Sequence, residues 1–498
     1  VAQNNQAINQ PWPKPAVAWY AVAVLVIAFI FSFIDRIIIG LLVDPIKADL
    51  GLSDTQMGML LGFAFAVFYA LVGLPIGRWA DRYSRRMIIG VGIFLWSIMT
   101  AVCGLARNYL ELFLARVGVA VGEAALSPSA YSMIADLFPR EKLGRAMGVY
   151  QSGALFGAGL AFLVGGIVIG FATQAGGMAL PILGELEPWR MVFIIVGLPG
   201  CLVALLMYTV PEPVRRGRIM AEETYIVWAD WVKWGRQHQR GLLITAAILL
   251  LLNIGIYSVA GLLGLVIIVA VEGMTGLALW FLRDSLPFTS RNWRIYVAHF
   301  IGFSMLAVPI TTIATWAPSY FIRVLGFTPA EAGRTLGLIL IVLSPLGVYL
   351  GGWAADWLGR RGYRDAPLRI GVFAALLLIP LSLITALVST PFLAVLLFCP
   401  LVFCASMSNA LAPAALQLVT PGQMRAQISA VWMLVLNLVT AGLGPTLVGL
   451  VSDRVFGDPM AVGLSMTMIN MLCMPIAIIA LLFCMKPFRE AASRLVQN

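Results

Sequence analysis

Twelve apolar stretches, each long enough to cross a bilayer as a helix, follow one another along this chain, and no other feature limits its fold so strongly. They run at roughly 16–42, 55–77, 87–106, 109–138, 146–173 and 190–210, then at 295–322, 328–355, 367–389, 391–418, 426–452 and 460–485. A helix needs about 20 apolar residues to cross the hydrocarbon layer, and inside that layer every backbone polar group must be bonded within the protein. A strand-built barrel would show alternating segments of about ten residues. Runs such as 87–105 and 371–387 are instead apolar nearly throughout. The expected fold class is therefore all-α and integral to the membrane. Composition agrees: 61% of positions are hydrophobic and 11% charged, under half of the roughly 25% charge that a soluble surface carries. A soluble enzyme, a secreted disulfide scaffold and a single-span receptor are excluded.

The net charge of +10 does not imply nucleic acid, because the basic residues sit in short clusters between apolar runs, where they set topology. With the N-terminus in the cytoplasm, most of the 33 Lys and Arg fall on the cytoplasmic side. The reverse would place Arg82, Arg85, Arg86, Arg215, Arg216, Arg360 and Arg361 outside. The expected location is the cell membrane, the inner membrane in a bacterium, with both termini cytoplasmic. Residues 1–15 lack the basic start, apolar run and cleavage site of a signal peptide, so the first apolar run is read as a retained span. Cys103, Cys201, Cys399, Cys404, Cys473 and Cys484 lie in apolar stretches without paired metal-ligand spacing and read as packing residues.

The chain divides into a tail at 1–15, a six-helix bundle at 16–210, a linker at 211–294, a second six-helix bundle at 295–485 and a tail at 486–498. Within the linker, residues 241–282 carry a single charge, Glu272. That length fits a hairpin of two extra crossings, which also keeps the basic loops of both bundles on one side; a segment lying on the membrane surface is the alternative.

An internal repeat links the bundles. The loop after the second span reads Gly77-Arg78-Trp79-Ala80-Asp81-Arg82-Tyr83-Ser84-Arg85-Arg86, and the loop after the eighth reads Gly352-Trp353-Ala354-Ala355-Asp356-Trp357-Leu358-Gly359-Arg360-Arg361. They agree at five of ten positions without gaps. Parallel halves of this kind, related by an axis along the membrane normal, are the architecture of major facilitator transporters. The first loop resembles the signature loop of that superfamily, with Trp79 in place of an aliphatic residue and Ser84 in place of a common glycine. The resemblance implies a cytoplasmic gate built from Gly77, Asp81, Arg82, Arg85 and Arg86, with Asp356 and Arg360 in the second copy.

Five charges lie deep in apolar stretches: Asp35, Arg36, Arg116, Glu123 and Glu272. A mid-membrane charge costs at least about 2.5 to 3.5 kcal/mol, so such residues mark a partner, a wet cavity or a function. Arg116 and Glu123 are seven apart and share one face of the fourth span, separated by about 10 Å along its axis. Asp35 lies at a depth that lets it pair with Arg116, while Arg36 diverges from Asp35 by about 100°. The expected chemistry is a proton switch: with Glu123 neutral, Arg116 is free to hold an anionic group; with Glu123 ionised, the arginine has a competitor. Glu272 reads as a lipid-interface or helix-end residue. Gly118 with Gly122, and Gly153 with Gly157, have the four-residue small spacing of close helix packing.

The combination of Asp35-Arg36 with the segment from Arg116 to Ala124, supported by Trp316-Ala317-Pro318-Ser319-Tyr320 and Arg323, resembles the Spinster branch of the superfamily. It implies proton-linked transport, by alternating access, of amphipathic lipids such as lysophospholipids or sphingosine phosphate. Protons are the coupling ion, with no other cofactor. The family's central path points to Thr311, Thr312, Thr315, Trp316, Ser406, Asn409 and Gln417 as cavity candidates, although residues of these types also commonly bond neighbouring helices. A proton-linked multidrug exporter or a carrier of small organic anions is the alternative. Against the exporter stands Ala158, which follows Gly157 where many exporters have proline. An enzyme is not expected, since His238 and His299 have no evident catalytic partner, and no filter sequence suggests a channel. The expected partners are a small-molecule or lipid substrate and membrane lipid, not nucleic acid, and the expected state is a monomer.

Overall fold

The computed structural model describes residues 11–174, 178–180, 184–215, 272–273, 292–388, 390–420 and 425–497. The first half comprises α1 (Pro15–Leu50), α2 (54–82), α3 (Arg85–Cys103), α4 (109–137), α5 (Arg140–Gln174) and α6 (Pro188–Met207). The second comprises α7 (Trp293–Arg323), α8 (Pro329–Arg360), α9 (Ala366–Leu387), α10 (Pro391–Val419), α11 (425–456) and α12 (Val462–Gln497). Ten of these are long and apolar enough by themselves to cross a membrane. The other two are α2, which carries a π-helical turn at Met59–Phe63, and α4, which is interrupted at residues 124–125. The membrane fold is all-helical as expected, and the connection between α5 and α6 carries a short antiparallel ribbon, β1 (Met178–Leu180) and β2 (Gly184–Leu186). The expected extra hairpin at 241–282 lies outside the described residues, Glu272 and Gly273 apart.

Local chemistry sets the helix ends. α1 opens with Pro15 at its first position and closes on Gly51 in the left-handed conformation, the pairing that suits a helix start lacking an amide and a helix end needing positive φ. Ser53 and Gln56 form a capping box that starts α2 within two residues of that stop, and Thr328 with Glu331 does the same for α8. Gly118 and Gly122 bring α4 against Met99 and Trp96 of α3, while Gly157 brings α5 against Phe33 of α1.

The halves meet along two seams. In the first, the π turn of α2 faces a second π turn of α11, Leu438–Leu443. A β-carbon on Gly62 would stand 2.3 Å from the Ala441 carbonyl oxygen, and one on Gly449 of α11 would stand 2.2 Å from the Asp54 carbonyl oxygen. In the second seam, α5 crosses α8 with Gly159 and Gly337 backbone to backbone, and a β-carbon on Gly337 would lie 2.9 Å from the Gly159 carbonyl oxygen. Further along α5, toward Tyr83, Gly148 has nothing within 4 Å of where its β-carbon would be. Every hydrogen bond and ion pair joining described side chains of one half to the other also lies toward Gly51. Among the described residues the halves are thus joined at the Gly51 end, and the open space beside Gly148 of α5 marks a cleft toward the Tyr83 end.

Because the three atoms nearest a β-carbon on Gly62 all belong to the opposing half, Gly62→Val should wedge the Gly51 end apart at a cost of about 1 to 3 kcal/mol. Labelling of a cysteine placed in the central cleft, by a reagent entering from the Gly51 side, should rise in Gly62→Val and stay unchanged in Gly148→Ala. Equal labelling in both would contradict the seam.

Candidate functional site

The middle of α1 is not a regular helix. Its α-helical part ends at Ile37 and a 3-10 stretch, Ile38–Leu42, follows before the helix resumes. In 3-10 geometry amides bond three residues back, which leaves carbonyls at the junction with spare capacity. Arg116 takes up that capacity: its guanidinium donates to the Asp35 carbonyl oxygen at 3.0 Å and to the Arg36 carbonyl oxygen at 3.4 Å. Arg116 is fully buried. It fastens α4 to the irregular part of α1 and does not present its charge to the cleft, contrary to the expectation that it would hold an anionic group.

The exposed cation is Arg36, whose side chain is 25% accessible. It donates to Glu123 Oε2 at 2.7 Å, and the Ser32 hydroxyl donates to the same oxygen at 2.6 Å. Ser32 and Arg36 are one helical turn apart, so both reach Glu123 from the same face of α1. Glu123 is buried at the last position before α4 breaks, and its Oε1 has no hydrogen-bond partner among the described residues. Three rings surround the guanidinium: Phe65 at 4.2 Å, Phe33 at 5.1 Å and Tyr69 at 5.3 Å from ring centre to carbon. Such stacking holds a cation in place without neutralising it. Asp35 points elsewhere, fully buried, and both of its carboxylate oxygens lack a hydrogen-bond partner among the described residues. The expected Asp35–Arg116 pairing is therefore made through the Asp35 backbone, and the central ion pair that forms is Arg36–Glu123.

Below Glu123, Ser127 and Tyr131 follow at one-turn steps toward the Tyr83 end. Tyr69 and Ser127 are 3.5 Å apart, and Tyr131 bonds Gln151 of α5 at 3.1 Å. Opposite them, residues 300–322 of α7, 335–355 of α8, 391–419 of α10 and 428–452 of α11 contain no charged side chain. The central charges thus belong to α1 and α4 of the first half, and these stretches of the second half are neutral.

Three of the expected cavity residues are packing residues in this structure. Thr312 bonds back to the Pro309 carbonyl, Trp316 donates its indole N–H to the Pro445 carbonyl at 2.9 Å, and Ser406 pairs with Ser344 at 2.7 Å; all three are fully buried. Thr311 and Thr315 are half-buried on α7, and Thr311 bonds the Thr440 carbonyl of α11 at 3.1 Å. Asn409 and Gln417 are exposed on α10, with Gln417 at 3.4 Å from Ser429.

Of the expected gate, the side chains of Asp81 and Arg82, and the surroundings of Gly77, lie outside the described set. Arg85 is buried and bonds Asp136 at 2.5 Å, Glu212 at 2.8 Å and the Pro213 carbonyl at 2.9 Å, while the Arg86 amide donates to Glu212 at 2.8 Å. These contacts tie α3 to α4 and to the segment after α6, all within the first half. Asp356 and Arg360 are exposed. Neither copy of the loop bridges the halves through its described side chains.

The bridge lies at the opposite end, in residues to which sequence reasoning gave no gating role; Arg323 figured there only in the Spinster resemblance. Arg323, at the end of α7, forks onto Asp54 at 3.0 Å through both terminal nitrogens and onto Asp44 at 2.6 Å. Lys47 and the Ser452 hydroxyl also bond Asp54. Asp453, on α11, accepts the Asp54 amide at 3.1 Å and the Thr55 amide and hydroxyl at 2.6 Å each. The available signal was that Asp44, Asp54, Arg323 and Asp453 all fall at span ends on one side of the membrane.

A family model described as Major Facilitator Superfamily matches residues 24–445. The chain belongs to the major facilitator superfamily. An MFS-type efflux pump of Mycolicibacterium smegmatis is 28% identical over 89% of this chain and 86% of its own length. A D-galactonate transporter of Escherichia coli is 25% identical over 70% of each. Among solved structures, a bacterial homologue of the human lysosomal transporter Spinster, inward-facing and unoccupied, superposes with a TM-score of 0.70 at 24% identity, covering 97% of this chain and 99% of that one. This chain is thus a superfamily secondary transporter and not an enzyme, and its fold is similar to that of the Spinster homologue.

In this superfamily member the Arg85 knot can be tested directly through Glu212. Burial raises the Glu212 carboxyl, but the Arg86 amide, the Arg85 guanidinium and the Ser84 hydroxyl outweigh it and hold the group below the usual carboxylate range. A depressed carboxyl adds stability that is full above its unfolded value of about 4.3 and fades as pH falls through the lower folded value. Glu212→Gln should cost about 1 to 3 kcal/mol at neutral pH, measured by thermal unfolding in detergent, with the difference shrinking below about pH 4. A difference independent of pH would contradict this assignment.

Proposed function

We propose that this transporter couples proton movement to the carriage of an amphipathic anion, of the class of lysophospholipids or sphingosine phosphate. The observation that carries the reading is the Arg36–Glu123 pair, a mid-membrane cation with a quarter of its side chain accessible and a buried carboxylate as its competitor. When Glu123 is ionised it holds Arg36. When Glu123 takes a proton, Arg36 is left to bind the anionic head of a cargo, and cargo and proton compete through one guanidinium. Phe33, Phe65 and Tyr69 keep that guanidinium in place in either state. The neutral wall of α7, α8, α10 and α11 suits the uncharged remainder of the cargo. Basic loops assign the Tyr83 end to the cytoplasm, so the closed Gly51 end faces outward and the cleft is open inward.

One observation favours a small organic anion instead. The polar line of Ser127, Tyr69, Tyr131 and Gln151 suits the hydroxyls of a sugar acid, and a D-galactonate transporter is among the relatives. Both readings place the anionic group on Arg36.

Purified protein in vesicles, given an imposed pH difference, should move lysophosphatidylglycerol in preference to D-galactonate; the reverse preference would replace the lipid reading with the sugar-acid one. Glu123→Gln should abolish the response to pH, and Arg36→Ala should weaken transport of anionic cargo by about tenfold more than that of neutral cargo. Unchanged coupling in Glu123→Gln would overturn the proton switch.

A further inference from the structure

Two helices of the first half, α3 and α6, leave a groove of about 220 Å³ between them. Val91 and Phe94 of α3 form one side, and Cys201, Ala204, Leu205 and, just past the end of α6, Tyr208 form the other. The second set recurs at one-turn steps, so a single helix face supplies it. Val91, Phe94 and Leu205 are each more than half exposed. On membrane spans such side chains meet lipid, so hydrocarbon is what fills the groove.

The cytoplasmic mouth of the groove carries a cation. Arg86 lies one turn before Gly90 and two turns before Phe94 on the same face of α3. Gly90 lets Tyr208 come close against α3: a β-carbon there would stand 3.2 Å from the phenol ring. Among the described residues, the Arg86 guanidinium has a single bond, to the Val210 carbonyl at 3.4 Å, and its Nε is buried without a partner. The two nearby acids are engaged elsewhere, since the Arg85 guanidinium bonds both Asp136 and Glu212, and the Glu212 bond to Arg86 is made by the backbone amide. Arg215, bonded to the Ala80 and Tyr83 carbonyls, adds a further cation at this end.

We propose that this groove is a phospholipid site: an acyl chain lies between α3 and α6, and the phosphate of an anionic phospholipid of the cytoplasmic leaflet is held by Arg86. A guanidinium can give two parallel N–H bonds to one phosphate, and the single long bond to Val210 leaves that capacity available. A chain gains little by moving from bilayer to groove, because both are hydrocarbon, so the headgroup decides which lipid stays. Basic pockets between spans on the cytoplasmic side bind anionic headgroups on this principle. Arg85 and Glu212 tie α3 to the segment after α6, so the site moves as a unit with the first half. Its lipid is a fixed companion of that half and not the cargo of the cleft.

Native mass spectrometry of the full-length protein in detergent tests the site without any transport measurement. The wild type should bind dioleoylphosphatidylglycerol about tenfold more tightly than dioleoylglycerol, which has the same chains and no phosphate. Arg86→Gln, which can still bond the Val210 carbonyl and keeps the amide bond to Glu212, should erase that difference. Cys201→Phe, which narrows the groove, should weaken phosphatidylglycerol binding by a similar factor with Arg86 in place. Arg364→Ala, which removes an exposed basic residue at the same membrane face, should leave binding unchanged. Added phosphatidylglycerol should raise the melting temperature of the wild type and not that of Arg86→Gln. Binding that is unchanged in Arg86→Gln or in Cys201→Phe overturns the site. A loss in Arg364→Ala equal to that in Arg86→Gln also overturns it, since the attraction would then be a diffuse effect of the basic loops.

Discussion

Ions in hydrocarbon must be matched, and the structure is organised around how this is done at mid-membrane. An unpaired charge there costs at least about 2.5 to 3.5 kcal/mol, which forces Glu123 to keep a cation or a proton at all times. Arg36 supplies the cation without being used up by it, because stacking on Phe65 and its neighbours supports the guanidinium while part of it stays accessible. Arg116 does the less visible work of bonding the carbonyls of Asp35 and Arg36, which holds the irregular stretch of α1 where Arg36 can meet α4. A regular α1 would have its own amides on those carbonyls.

The packing between the halves follows a different logic from the packing within them. Inside the first half, α3, α4 and the segment after α6 are joined by Arg85 and Glu212, and these bonds have no reason to break in a transport cycle. Between the halves, contact is made by bare backbone at Gly62, Gly159, Gly337 and Gly449, and by a polar bridge at one end. Smooth backbone seams separate without uncovering large apolar side chains, and a polar bridge can be re-solvated when it opens. Both features suit two rigid bundles that rock against each other.

Much of the fold was legible in the sequence because the bilayer demands it. Apolar length reveals a span whatever its neighbours, and the Gly77 and Gly352 loops reveal the repeat. The four central ions were legible for the same reason, since charge in such segments is conspicuous. Their pairing was not. Helical wheels place Asp35 and Arg36 about 100° apart but cannot show which one meets α4 when the helix tightens to 3-10 geometry two residues later. Thr312, Trp316 and Ser406 looked like cavity residues because polar groups that bond between helices and polar groups that face a cargo are identical in sequence. The Asp44, Asp54, Arg323 and Asp453 bridge was hidden by the opposite effect: at span ends charges are ordinary, and only the fold brings together residues about 400 positions apart.

Infrared difference spectroscopy of the protein in lipid, following the carboxylic acid carbonyl band as pH is lowered, reads the protonation of Glu123 itself. A protonated-carboxyl band should appear over the pH range in which transport responds, be missing in Glu123→Gln, and grow when an anionic cargo is added at fixed pH. A band that is unchanged in Glu123→Gln, or that ignores cargo, would contradict a shared arginine as the link between proton and anion.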